Sequence, residues 1–132
     1  MGAGGQGVGR EAQLTVPGIS IHVVDVTRGV PAAGMRVDVY ERMRDARRHV
    51  GHAVIAEDGV LRHPMNHGTG INAGTYDVEF AIGAWYRAQH VDVGNPAFLE
   101  VGTFRFAIVD PEEHVHLPIK LSPYGMSIWR GR

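Results

Sequence analysis

Between His114 and Leu121 an apolar residue occupies every second position: Val115, Leu117, Ile119 and Leu121 alternate with His114, His116, Pro118 and Lys120. A period of two belongs to an extended strand with one face buried and the other turned outward, and it is incompatible with a helical stripe. The same period recurs along the chain. Ile19, Ile21 and Val23 alternate with Ser20, His22 and Val24. Met35, Val37 and Val39 alternate with Arg36, Asp38 and Tyr40. Tyr76, Val78 and Phe80 alternate with Thr75, Asp77 and Glu79. A further strand is expected within Arg44 to Ile55, a short one over Val60 to Pro64, a long one over Phe98 to Val109, and a last one over Met126 to Arg130. Thr27 to Pro31, Glu57-Asp58-Gly59, Gly94-Asn95-Pro96, Asp110 to Glu113 and Ser122 to Gly125 carry the turn residues between them. Ala81 to Gln89 is the one credible helix. About eight short strands with one short helix predict an all-β, two-sheet β-sandwich.

The chain has 132 residues, enough for one domain with its own core. Residues 1–16 are Gly-rich and polar, without the apolar centre of a signal peptide, and are expected to be a disordered tail ahead of one domain over 17–132. Thirteen basic and fourteen acidic residues give a net charge of -1, which offers no footprint for nucleic acid or for an anionic membrane. No apolar run approaches the roughly 20 residues of a membrane span. The absence of cysteine removes disulfides, thiolate catalysis and cysteine–zinc sites, and is compatible with a reducing compartment. With no signal peptide and no peroxisomal ending, a cytoplasmic location is expected.

No phosphate-binding glycine loop, GxSxG or HExxH motif is present. Histidine is abundant, at eight residues. His114 and His116 share a strand face and could chelate a metal. That strand offers no Asp or Glu on the same face, so no metal and no cofactor is expected. His49, His52, His63, His67 and His90 read as surface residues in or near loops, and the basic stretch Arg42 to Arg48 as a solvated hairpin tip. His22 differs, because it lies within an apolar strand on the face away from the core.

Ile21-His22-Val23-Val24-Asp25 and Gly29 to Val37 resemble the opening of the transthyretin-like family, whose enzymes are 5-hydroxyisourate hydrolases. His114-Val115-His116-Leu117-Pro118, Leu121-Ser122-Pro123-Tyr124 and Arg130-Gly131 resemble its C-terminal signature, and Ala73-Gly74-Thr75-Tyr76 also fits. The resemblance implies a transthyretin-like sandwich assembled as a homotetramer, a dimer of dimers, with funnel-shaped sites lined by the outward faces of the first and last strands. It implies hydrolysis of a small cyclic amide, with His22, His116 and Arg130 catalytic and Gly131 in the substrate site. His114 is then a spectator.

Three positions depart from the family pattern. Val60 follows Asp58-Gly59 where the family carries arginine, and Arg62 two residues later could partly replace it. Trp129 stands for the terminal tyrosine, and Arg132 for the final serine. Val60, Arg62, Trp129, Gly131 and Arg132 are therefore the expected substrate-binding set. These changes allow 5-hydroxyisourate itself, a modified substrate such as an N-methylated analogue, or a non-catalytic member that binds a small molecule. Two retained histidines favour the enzyme.

Overall fold

Residues 18–61 and 71–131 are described in a computed structural model, and among them the alternating segments form nine strands, with one helix. In chain order the strands are β1 (Gly18–Asp25), β2 (Val30–Pro31), β3 (Arg36–Arg42), β4 (Arg47–Val54), β5 (Val60–Leu61) and β6 (Gly74–Phe80). Helix α1 (Ile82–Ala88) comes next, followed by β7 (Gly102–Ile108), β8 (His114–Ser122) and β9 (Gly125–Ile128). The tail expected over residues 1–16 lies outside the described residues, as do Arg62 and Arg132.

Two sheets form. Sheet A has the order β2-β1-β8-β9, with β5 also paired to β1, and sheet B has the order β4-β3-β6-β7. All neighbours are antiparallel except β1 and β8, which run parallel from Gly18 opposite His114 to Asp25 opposite Leu121. Their inward residues are Ile19, Ile21 and Val23 on β1, and Val115, Leu117, Ile119 and Leu121 on β8. They join Val37, Val39, Tyr76, Val78 and Phe80 of sheet B in one buried cluster. The period-two pattern therefore resolves into two inner faces sharing a core, the geometry of a sandwich.

Helix α1 has no side-chain cap at Ala81. Packing holds it instead: Ile82, Trp85 and Tyr86 are buried, and the Trp85 indole N–H donates to the Ala33 carbonyl at 2.7 Å. The strand expected over Phe98 to Val109 begins only at Gly102. Glu100 is the reason. Its carboxylate takes a two-pronged bond from Arg87, at 2.9 and 2.6 Å, and accepts the Ala97 amide at 2.7 Å, folding that stretch into a turn against the helix. The Arg87 guanidinium and the Ala97 amide hold the Glu100 carboxyl down at about 2.

The basic stretch is an exposed hairpin tip, as expected, and several of its arginines also have acidic partners. Arg42 and Arg47 flank the turn on β3 and β4, and both approach the buried Asp77, at 3.7 and 4.0 Å. Arg47 also bonds Glu79 at 2.6 Å and covers the Tyr40 ring at 3.8 Å, while Arg48 bonds Glu41 at 2.7 Å. Arg105 completes the set with a fork onto Asp77 at 2.8 and 3.2 Å.

Asp77 is 2% exposed, so its charge is tolerable only with these cations over it. Arg105 holds its carboxyl below the usual carboxylate value, against the opposing effect of burial. This stability is present above about pH 4 and is lost as the medium is acidified through the lower folded-state value. Asp77→Ala is expected to lower unfolding free energy by about 2 kcal/mol at neutral pH. In urea titrations the difference should shrink as pH falls well below 4; a gap that stays constant with pH would contradict this role.

Candidate functional site

The outward face of sheet A gathers the polar residues that the alternation predicts. From β1 come Ser20, His22 and Val24, and from β8 come His114, His116, Pro118 and Lys120, with Val60 of β5 opposite His22. The parallel register sets Ser20 opposite His116 and His22 opposite Pro118. His22 therefore lies two residues along the neighbouring strand from the His116 level, about 8 Å between Cα positions. The two imidazoles share one surface.

Ser20 is the residue the sequence reading missed. Its Oγ lies 2.7 Å from His116 Nδ1 and 2.7 Å from His114 Nε2. A hydroxyl donates only one proton, so one ring accepts it and the other donates an N–H to the oxygen. When His116 carries its proton on Nδ1, it donates to Ser20, and Ser20 donates to His114. That arrangement leaves His116 Nε2 with a free lone pair. His114, expected to be a spectator, is thus bonded to His116 through one oxygen. Two small polar residues in register on adjacent strands would have signalled it, had the parallel pairing been readable.

Two glycines close around the histidine rings. Gly59, at φ +85°, ends the turn before β5; a Cβ there would lie 2.9 Å from the Val23 carbonyl oxygen and 3.1 Å from His22 Cδ2. The positive φ and the close approach both call for glycine. Beyond β9 the chain continues beside β8: the Gly131 amide donates to the His116 carbonyl at 2.7 Å. A Cβ at Gly131 would meet Pro118 Cγ at 2.9 Å and His116 Cδ2 at 3.1 Å. Only a glycine lets the tail lie this close to the imidazole.

The tail sorts its residues by face. Met126 and Ile128 pack towards the core, so alternation turns Trp129 and Gly131 to the site side. Trp129 is 43% exposed and has the Lys120 ammonium 5.9 Å from its ring centre. Arg130 falls on the other phase. Its guanidinium bonds Glu113 at 3.2 Å, both side chains being largely exposed. Within one chain, then, His22, His116, Val60 and Gly131 come together and Trp129 flanks them, while Arg130 is held aside by a surface ion pair of little strength. Arg62 and Arg132 lie outside the described residues.

Burial lowers the His116 pKa, and the neighbouring His114 and His22 rings lower it further. The ring is consequently neutral at pH 7 and able to accept a proton.

Residues 19–131 match the HIUase/Transthyretin family. The chain belongs to that family. It is 39% identical over 113 residues to 5-hydroxyisourate hydrolase 2 of Rhizobium meliloti (strain 1021), covering 86% of this chain and 94% of that protein. It is 36% identical over 115 residues to the 5-hydroxyisourate hydrolase of Deinococcus radiodurans, covering 87% and 96%. Among solved structures, (S)-allantoin synthase superposes with a TM-score of 0.78 at 28% identity, covering 90% of this chain and 45% of that one. Klebsiella pneumoniae 5-hydroxyisourate hydrolase gives 0.72 at 23% identity, covering 89% and 100%, and shares the fold. The expected two-sheet transthyretin-like sandwich is therefore borne out, with nine strands among the described residues in place of about eight. Among those residues no helix is long and apolar enough to cross a membrane.

Two outcomes follow for His116. Its titration, read from the imidazole proton resonances, is expected at a midpoint below the ordinary histidine value of 6.5. Because the unfolded chain binds this proton more readily, His116 removes stability as pH falls through about 6.5, and the loss levels off below the folded-state value. A midpoint above 6.5 would contradict the buried, neutral imidazole.

Proposed function

We propose that this protein hydrolyses a small cyclic amide, 5-hydroxyisourate or a modified analogue such as an N-methylated one, on the outward face of sheet A. The observation that carries the reading is the His116–Ser20–His114 chain beside His22. It supplies an oriented, neutral imidazole next to a second titratable ring, on a face with no part in the core. Relatives named as hydrolases of 5-hydroxyisourate, at 31–39% identity over most of the chain, support the same reading.

His116 Nε2 accepts a proton from water as the water oxygen attacks the ring carbonyl carbon. In the tautomer with the proton on Nδ1, His116 donates to Ser20 and its Nε2 lone pair faces the water. The acyl C–N bond then breaks, and the leaving nitrogen takes a proton, for which His22 is the neighbouring donor. Arg130 serves charge stabilisation and substrate orientation once it leaves Glu113, a weak surface contact. Arg62 and Arg132 belong to the same proposal as further cations for the substrate's carbonyl oxygens. Val60 and Trp129 give the pocket an apolar wall where the family pattern has arginine and tyrosine, which favours a substrate with fewer polar edges. Ligand binding without catalysis is the other reading, since sea bream transthyretin in complex with thyroxine shares the fold at a TM-score of 0.75. A hydroxyl shared at 2.7 Å between two imidazoles suits proton transfer, for which a carrier has no need.

We further propose a homotetramer, a dimer of dimers in which sheet A faces meet, and a cytoplasmic location. Sedimentation should give four chains per particle, and a monomer would remove that part of the proposal.

Freshly generated 5-hydroxyisourate, followed by ultraviolet absorbance, should decay faster with the protein than without it. Decay at the spontaneous rate, for both that substrate and its N-methylated analogue, would refute catalysis and leave the binding reading. His116→Ala is expected to lower kcat/KM by about 10²–10⁴-fold. Ser20→Ala should lower kcat by roughly tenfold or more with little change in KM, and Ser20→Thr should restore it. Equal rates in Ser20→Ala and the parent would show that the hydroxyl does not orient the base.

A further inference from the structure

On the far side of the sandwich, sheet B carries a second group of histidines. Residues 49 and 52 are three apart, so an unbroken strand would turn their side chains to opposite faces. The strand is broken. Val39 pairs with Gly51 and Tyr40 with His49, which leaves Val50 as an extra residue in β4. Val50 packs against the core, and the bulge shifts the phase so that His49 and His52 both face outward. Asp38 of β3 lies directly opposite His52 and faces the same way.

The three side chains converge. His49 Nε2 is 2.8 Å from Asp38 Oδ1, the two imidazoles stack with centres 5.9 Å apart, and one ligand atom from each residue lies within 4.8 Å of the other two. Nitrogen and oxygen atoms bound at about 2.0–2.1 Å to one ion sit about 3–3.5 Å apart, so small rotations of exposed side chains close the set. Two imidazoles and one carboxylate are the donor set of borderline divalent ions, and three protein ligands leave positions for water.

We propose that Asp38, His49 and His52 bind a divalent transition-metal ion, of the zinc or nickel type, on the outer face of sheet B. Arg36 is the competitor. It forks onto Asp38 at 3.0 and 3.1 Å, and the ion must displace it. Its side chain is 54% exposed, so the pair is screened and exchangeable. Arg47, the other nearby cation, is already committed to Glu79 and to the Tyr40 face. This site is independent of the hydrolytic reading, because it shares no residue with sheet A.

The test is equilibrium dialysis of the full chain against Zn²⁺, and separately Ni²⁺, at about pH 7.5. One ion per chain is expected, with affinity falling roughly tenfold or more in His49→Ala and in His52→Ala. Arg36→Ala should bind more tightly than the parent, a gain that no folding defect would produce. Absence of binding would overturn the site. So would binding that survives both histidine variants, or that is lost only in His116→Ala, or that weakens in Arg36→Ala.

Discussion

A parallel register joins two strands that lie 94 and 96 residues apart at their hydrogen-bonded side chains, and the remaining structure is arranged around it. Ile21 beside Leu117 and Val23 beside Ile119 put the inward residues of β1 and β8 into one core. The same register carries Ser20 to His116 on the opposite face. A slip of one residue would bury the histidines and expose the isoleucines, so the hydrophobic demand of the core fixes the alignment of the site. Polar geometry on the outer face is thus a consequence of apolar packing on the inner one.

The glycines extend this logic. Gly59 and Gly131 come from chain segments far apart in sequence, and each leaves room for an imidazole, His22 and His116 respectively. Both rings are confined by backbone, which restricts their rotamers without a bulky side chain to block the surface. The apolar Val60 and Trp129 then bound the same face. On the far sheet the bulge at Val50 acts in the opposite sense, turning aside a strand that would otherwise separate His49 from His52.

Much of this was legible in the sequence, and the rest was hidden for physical reasons. Val115, Leu117, Ile119 and Leu121 announced β8 and its buried face, and Ile19, Ile21 and Val23 announced β1, because burial imposes a period of two. His22, His116 and Gly131 followed from resemblance, and the structure brings them onto one face. Ser20 was invisible as a partner, since only the pairing of β1 with β8 brings it to His116. Glu100 ended a strand by accepting bonds from Arg87 and Ala97, contacts that no local pattern encodes. His49 and His52 read as separate surface residues because a regular strand would divide them. Arg42 and Arg47 sit in an exposed tip as expected, but their partner Asp77 was not visible because it lies on β6. For Ser20 and for the arginines over Asp77, a contact distant in sequence overrode the local signal.

The central claim is that the outward face of sheet A, organised by Ser20, is where a small planar substrate meets the protein. Chemical-shift mapping by nuclear magnetic resonance, with a urate-like purine that resists hydrolysis, tests this most directly. The account predicts that the largest shifts fall at Ser20, His22, His116 and Gly131, with Val60 and Trp129 beside them and sheet B unmoved. Shifts centred on β4 and β7, with the histidines of sheet A unchanged, would contradict it.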